Sequence, residues 1–153
     1  MTAEPTRTLA PQARWVWRGG QLLGWGIAVM AGLIAGARLD GALAVLAGVV
    51  PLAGLLVGVT LVPSLRWRRW RWEVRPEAID LRHGTFTIRR TLVPMPRVQH
   101  VDTRRGVVEQ ALDLATVVVH TAAGSHAIPL LRVTDAAEVR DRIAELARTA
   151  DEP

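Results

Sequence analysis

The chain of 153 residues has no cysteine and no lysine. Without cysteine there is no disulfide, no thiolate nucleophile and no cysteine-ligated metal. Without lysine, all 19 basic side chains are arginine, which nothing in the sequence explains. Two long stretches, residues 19–37 and 41–62, lack charged side chains altogether. No glycine-rich loop of the phosphate-cradling kind occurs. Ser125 has His126 as its neighbour, but adjacent residues on a strand point to opposite faces, so the pair makes a poor nucleophile–base dyad. The sequence therefore offers no catalytic constellation and no cofactor site, and predicts a protein that is not an enzyme.

What is present is apolar length. The two uncharged stretches hold 19 and 22 residues, and a spanning helix needs roughly 20 apolar residues at about 1.5 Å each. Lipid offers the backbone no hydrogen bonds, so both stretches are expected to be helices. Only Arg38-Leu39-Asp40 separates them, which suits a tight antiparallel hairpin over residues 14–64. Two buried helices of a soluble core is the bland reading, but a chain this size cannot wrap both on every side. A cleaved signal peptide is the other rival, with Arg14 and Arg18 as its basic start and Ala35-Gly36-Ala37 as its small-residue site. The apolar stretch exceeds the roughly 7–15 residues usual for such a segment, and cleavage would leave a second apolar run behind.

Arginine sets the expected orientation. Arg7, Arg14 and Arg18 precede the first span, and Arg66, Arg68, Arg69 and Arg71 follow the second. The turn has only Arg38, beside Asp40. The positive-inside rule puts both termini in the cytoplasm of the cell, at its plasma membrane. Trp15, Trp17, Trp67 and Trp70 are expected at the membrane interface with those arginines, indole bodies inward and N–H groups toward water. Gly20, Gly24, Ala28, Gly32 and Gly36 recur every four residues and form a smooth stripe, as Gly54 and Gly58 do on the second span. Such stripes let helix backbones approach, within the hairpin or in an oligomer. Pro51 is expected to kink the second span, and Pro63-Ser64 to end it.

The net charge of +5 invites a nucleic-acid reading. Residues 1–72 carry eight Arg against Glu4 and Asp40, while residues 73–153 carry eleven Arg against twelve acids. The basicity is thus juxtamembrane. The join at residues 65–72, LRWRRWRW, could stack on single strands, but beside a bilayer its Trp and Arg more simply anchor to the interface and its anionic lipids. Membrane lipids are the expected partners, and nucleic acid is not.

Residues 1–13, with Pro5, Pro11 and several Thr, read as a disordered tail. Beyond the join the period changes to two. Strands are expected through Trp70–Val74, around Ile79 and Leu81, over 85–93 after a His83-Gly84 turn, over 98–103, over 115–121 and over 126–130. On the 98–103 strand, Val98, His100 and Asp102 alternate with Gln99, Val101 and Thr103. Residues 109–114 read as a short helical or turn connection. A closing helix starts at Thr134 as N-cap, and buries Ala136, Val139, Ile143, Leu146 and Ala147 against the sheet.

Residues 72–74 (Trp-Glu-Val), 78–84, 93–102 (with Pro94, Val98, Gln99, His100, Val101 and Asp102) and 114–122 together resemble the bacterial pleckstrin-homology-like domain of YdbS-type membrane proteins. The two spans ahead of a domain at 70–150 match that family's layout. Asp113 stands where the family often has glycine, so the turn there is expected to differ. The resemblance implies an α+β membrane protein: a two-helix transmembrane hairpin, then a mostly antiparallel, bent β-sheet capped by a C-terminal helix. It implies no catalytic residues.

His100, Asp102, His120 and His126 could in principle bind a metal, but their spacing matches no recognised ligand motif, and structural roles in the sheet are expected instead. Two functions remain for the domain: assembly with a membrane protein partner or a second copy, or binding of anionic lipid headgroups through Arg89, Arg90, Arg97, Arg104 and Arg105.

Overall fold

The computed structural model describes residues 4–151. These divide into two units, a helical hairpin of residues 14–65 and a domain assembled from the residues before it and those after it.

The hairpin consists of α1 (Ala13–Gly36) and most of α2 (Gly41–Arg69). Both helices expose their apolar side chains almost everywhere; Leu23, for example, is 71% exposed. Helices that apolar with so little protein around them are transmembrane helices, with lipid as the solvent of those faces. The small residues act where the helices meet. A Cβ on Gly32 would run into the carbonyl oxygen of Ala47, and one on Gly36 would lie 3.0 Å from that of Ala44. Gly54 and Gly58 instead make room for the indole of Trp25, whose Nε1 donates to Gln21 Oε1 at 3.1 Å. Gly20 and Gly24 face open space. The expected stripe is therefore split, its second half seating α1 on α2 and its first half facing away. Nor does Pro63 end the helix, which continues to Arg69. Thr60 and Ser64 turn their hydroxyls onto the carbonyls of Leu56 and Thr60, which satisfies those groups internally.

The domain holds two antiparallel three-stranded sheets. The first is β1 (Arg71–Val74), β2 (Ala78–His83) and β3 (Arg89–Pro94). The second is β4 (Val98–Arg104), β5 (Leu114–Thr121) and β6 (Gly124–Arg132). A 3-10 turn, Met95–Arg97, joins them. The alternation read in the sequence delivers Trp72, Ile79, Leu81 and Val93 from one sheet and Ala115, Val117 and Val119 from the other to a common core. Gly84 has a φ of 135°, and a Cβ there would strike the Thr87 carbonyl. Residues 84–88 are consequently a loop rather than strand, and Phe86 at its tip is 86% exposed.

The connection before β5 is α3 (Val107–Ala111), whose Gly106 N–H is capped by Glu109. Asp113 adopts a φ of 53°. The turn thus keeps the left-handed conformation that glycine favours, and the short polar Asp side chain tolerates it. Helix α4 (Val133–Asp151) springs directly from β6. Thr134 consequently lies in its first turn instead of capping it. Ala136, Val139 and Ile143 are buried, packed over β4, the 3-10 turn, β5 and β6.

Residues 4–13 are not a disordered tail. Arg7 exchanges backbone hydrogen bonds with Trp72 of β1 at 3.2 and 3.0 Å, and Ala10 N–H donates to the Leu130 carbonyl of β6. Leu9 is 1% exposed. The segment is a strap that ties an edge strand of one sheet to an edge strand of the other. The sequence missed it because few of its side chains are large and apolar, and because its bonds run through the backbone.

Two substitutions test this packing by thermal unfolding of the detergent-solubilised chain. Ile143→Asp places a charge where no partner is available and should cost several kcal/mol. Leu9→Asp should lower the midpoint as clearly, whereas a loose tail would leave it unchanged.

Candidate interaction surface and the span junctions

The residues expected at the membrane interface have different fates. Trp15 is exposed and Trp17 half-buried at the start of α1, with the Arg18 guanidinium 5.0 Å from the Trp15 ring centre. Trp67, in the last turn of α2, is half-buried. Its Nε1 reaches the carbonyls of both Leu9 and Ala10 at 3.2 Å. Trp70 is buried and its ring stacks on His83, centroids 4.8 Å apart. Trp72 is buried too, its Nε1 donating to the Thr8 carbonyl at 3.2 Å. Trp70 is therefore a core residue and not a lipid anchor, because β1 begins immediately after it.

The arginines divide likewise. Arg66 and Arg68 are exposed. Arg69 donates to the Thr85 carbonyl at the base of the β2–β3 loop, and Arg71 to the Trp70 carbonyl at 2.8 Å.

Among the described residues, one charge is fully buried. Asp80, in the middle of β2, is 0% exposed. Arg90, on the neighbouring strand, forks onto it: Nε donates to Oδ1 at 3.0 Å and Nη2 to Oδ2 at 2.6 Å. Arg75 Nη2 stands 3.8 Å away and also meets Glu73. A buried carboxylate is tolerated when planar bidentate donors replace its water. In return, the Asp80 hydrogen bond holds Arg90 still more firmly charged than usual.

The 94–102 motif opens the second sheet. Pro94 closes β3 and leads into the 3-10 turn. The register shifts between Val98 and His100, so that Val98 pairs with Thr121 but His100 pairs with His120. Directly paired residues share a face. The bulge at Gln99 thus turns Val98 inward with Val101, and leaves His100 and Asp102 together on the outer face. Val98, Gln99, His100 and Val101 line a depression of about 240 Å³ beside Ala144, Ala147 and Arg148 of α4. The expectation that Val98 shares a face with His100 fails for this reason, since a bulge leaves no mark in an alternating pattern. Ser125 and His126 do face opposite ways: Ser125 pairs with His120, and His126 with Val119 of the inner face.

Two helices long and apolar enough to cross a membrane, two antiparallel three-stranded sheets and a capping helix define a membrane protein built around a bacterial pleckstrin-homology-type domain. The bacterial PH domain family matches residues 26–147, and the chain belongs to it. Over 105 residues it is 45% identical to the transmembrane protein YdbS of Bacillus subtilis, an alignment covering 69% of this chain and 66% of that one. It is also 22% identical over 98 residues to the transmembrane protein YdbT of the same organism, covering 64% of this chain and 20% of that longer relative. The matched part thus spans slightly under two thirds of the first relative's length. No solved structure matches the chain.

Burial holds the His83 imidazole below its ordinary range, with Arg89, Arg66 and His126 adding to the effect. In the unfolded chain it titrates near 6.5. Between that value and its lower folded value, the unfolded state binds the extra proton. Its contribution to stability is complete above pH 6.5 and is lost as the pH falls through the window below. Melting curves on either side of that pH should show the loss in the wild type and a smaller loss in His83→Gln.

Proposed function

We propose that the protein is a non-enzymatic, membrane-anchored interaction module, with both termini and the folded domain in the cytoplasm, that assembles with a membrane protein partner or a second copy of itself. The observation that carries the topology is the strap. Leu9 and Ala10, just before α1, are bonded to Trp67, at the end of α2. The entrance to the first span and the exit from the second therefore belong to one folded domain, and one domain occupies one side of a membrane. Two crossings satisfy that, whereas one would not. The arginines before and after the spans, against Arg38 and Asp40 in the turn, favour the cytoplasm for that side.

Protein assembly is supported by the exposed apolar groups along edge strand β3 and its loop, Phe86, Ile88 and Leu92. Lipid headgroups are the second reading. Of the five arginines that suggested it, Arg90 is forked onto Asp80, and Arg105 is bonded to the Leu114 carbonyl and Asp113. That leaves Arg89, Arg97 and Arg104, which is a weaker basis for a headgroup site. A single-strand nucleic-acid role fares no better, because the indoles of Trp70 and Trp72 are buried.

The chain's lack of cysteine makes it its own background for labelling. Cysteines introduced at Leu39 should react with an impermeant reagent outside the cell, and those at Thr6 and Ser125 only after permeabilisation. Outside labelling at Ser125 would overturn the topology. Co-purification from native membranes in mild detergent should yield a stoichiometric partner or a dimer that Phe86→Asp with Leu92→Asp weakens. A lone monomer with selective retention of anionic lipid would favour the headgroup reading instead.

A further inference from the structure

The outer face of the second sheet brings together three residues that the sequence left scattered. His100 and Asp102 lie two apart on β4, on the same face, and His120 stands directly across from His100 on β5. Nε2 of His120 is 3.2 Å from Asp102 Oδ2, and Nε2 of His100 is 3.6 Å from the same oxygen. The two imidazoles are nearly parallel, with centroids 4.2 Å apart and planes inclined by 10°. One potential ligand atom from each of the three residues lies within 4.8 Å of the others. We propose that His100, Asp102 and His120 form a binding site for a divalent transition-metal ion of the zinc class.

Three features point to an ion. First, the donor set is right: two imidazole nitrogens and a carboxylate suit zinc and its neighbours, and three protein ligands leave a position for water. Second, the spacing is close to what coordination requires. Bonds of about 2.0–2.2 Å in a tetrahedral arrangement place ligand atoms roughly 3.3 Å apart. The His120–Asp102 separation already meets this. The His100 side chain is 60% exposed, so its ring can turn to close the remaining gap. Third, Nε2 of His120 is shielded from solvent yet makes no hydrogen bond. Coordination would give that ring nitrogen, 3.2 Å from the Asp102 carboxylate, the partner it lacks.

The site would clip β4 to β5 immediately after the bulge at Gln99. His126 takes no part, since its side chain belongs to the opposite face of the sheet. Its exclusion provides the control.

The test uses the tag-free, full-length chain in detergent, stripped of metal with chelator. Zinc titration by calorimetry should show one ion per chain, with a raised unfolding midpoint. Cobalt should give the intense visible absorption of a low-coordinate site, which distinguishes an inner-sphere complex from loose surface binding. His100→Ala, Asp102→Asn and His120→Ala should each weaken binding by roughly tenfold or more, while His126→Ala should bind as the wild type does. Unfolding in chelator should be the same for all, which shows that the variants fold. Absence of micromolar zinc binding by the wild type overturns the proposal. So does a cobalt spectrum no stronger than that of the hydrated ion, or binding that survives in the three variants or falls equally in His126→Ala.

Discussion

The two ends of the transmembrane hairpin are bonded to one another through the folded domain, and the rest of the architecture depends on that constraint. The Trp67 indole holds the carbonyls of Leu9 and Ala10, the Trp72 indole holds that of Thr8, and Arg7 pairs with Trp72 through the backbone. These are ordinary hydrogen bonds, modest singly. Their effect comes from what they join, residues 57 or more positions apart in sequence with both apolar helices between them. The domain is built from segments on both sides of the hairpin, because the strap precedes the first helix and the sheets follow the second.

The two units obey different packing rules because their solvents differ. In the hairpin, burial of apolar surface gives nothing, since lipid is as apolar as leucine, and the contact rests on close backbone approach at Gly32 and Gly36 and on Trp25 resting against Gly54 and Gly58. In the domain, water drives aliphatic side chains from two sheets and one helix face into a common core. Asp80 is the exception inside that core. Its burial is tolerated because the Arg90 fork across β2 and β3 replaces its water.

The same logic of small irregularities governs the second sheet. A single bulge at Gln99 turns the half-buried Val98 to the face of Val101 and leaves His100 and Asp102 together on the other face. The β5–β6 hairpin then decides that Ser125 shares the His120 face and that His126 does not. In this way a run of residues with no recognised ligand spacing becomes a compact group of two imidazoles and a carboxylate.

Much of this protein is dictated locally and can be read from the chain. Two charge-free runs of sufficient length must be helices in lipid, because their backbones have no other partner. A period of two, broken by Gly84 and Pro94, gives the strands. The face of Ala136, Val139 and Ile143 gives the capping helix. The family motif at 94–102 indicates the domain type. Three matters were settled only by tertiary structure. The strap has no side-chain signature, because it is held by backbone groups and by indoles distant in sequence. The Trp and Arg of residues 65–72 form one alternating run, yet Trp70 and Trp72 turn into a core while Arg66 and Arg68 stay exposed, since only the sheet's position distinguishes them. The meeting of His100, Asp102 and His120 depends on a bulge and a strand register, and register is a relation between segments that no single segment encodes.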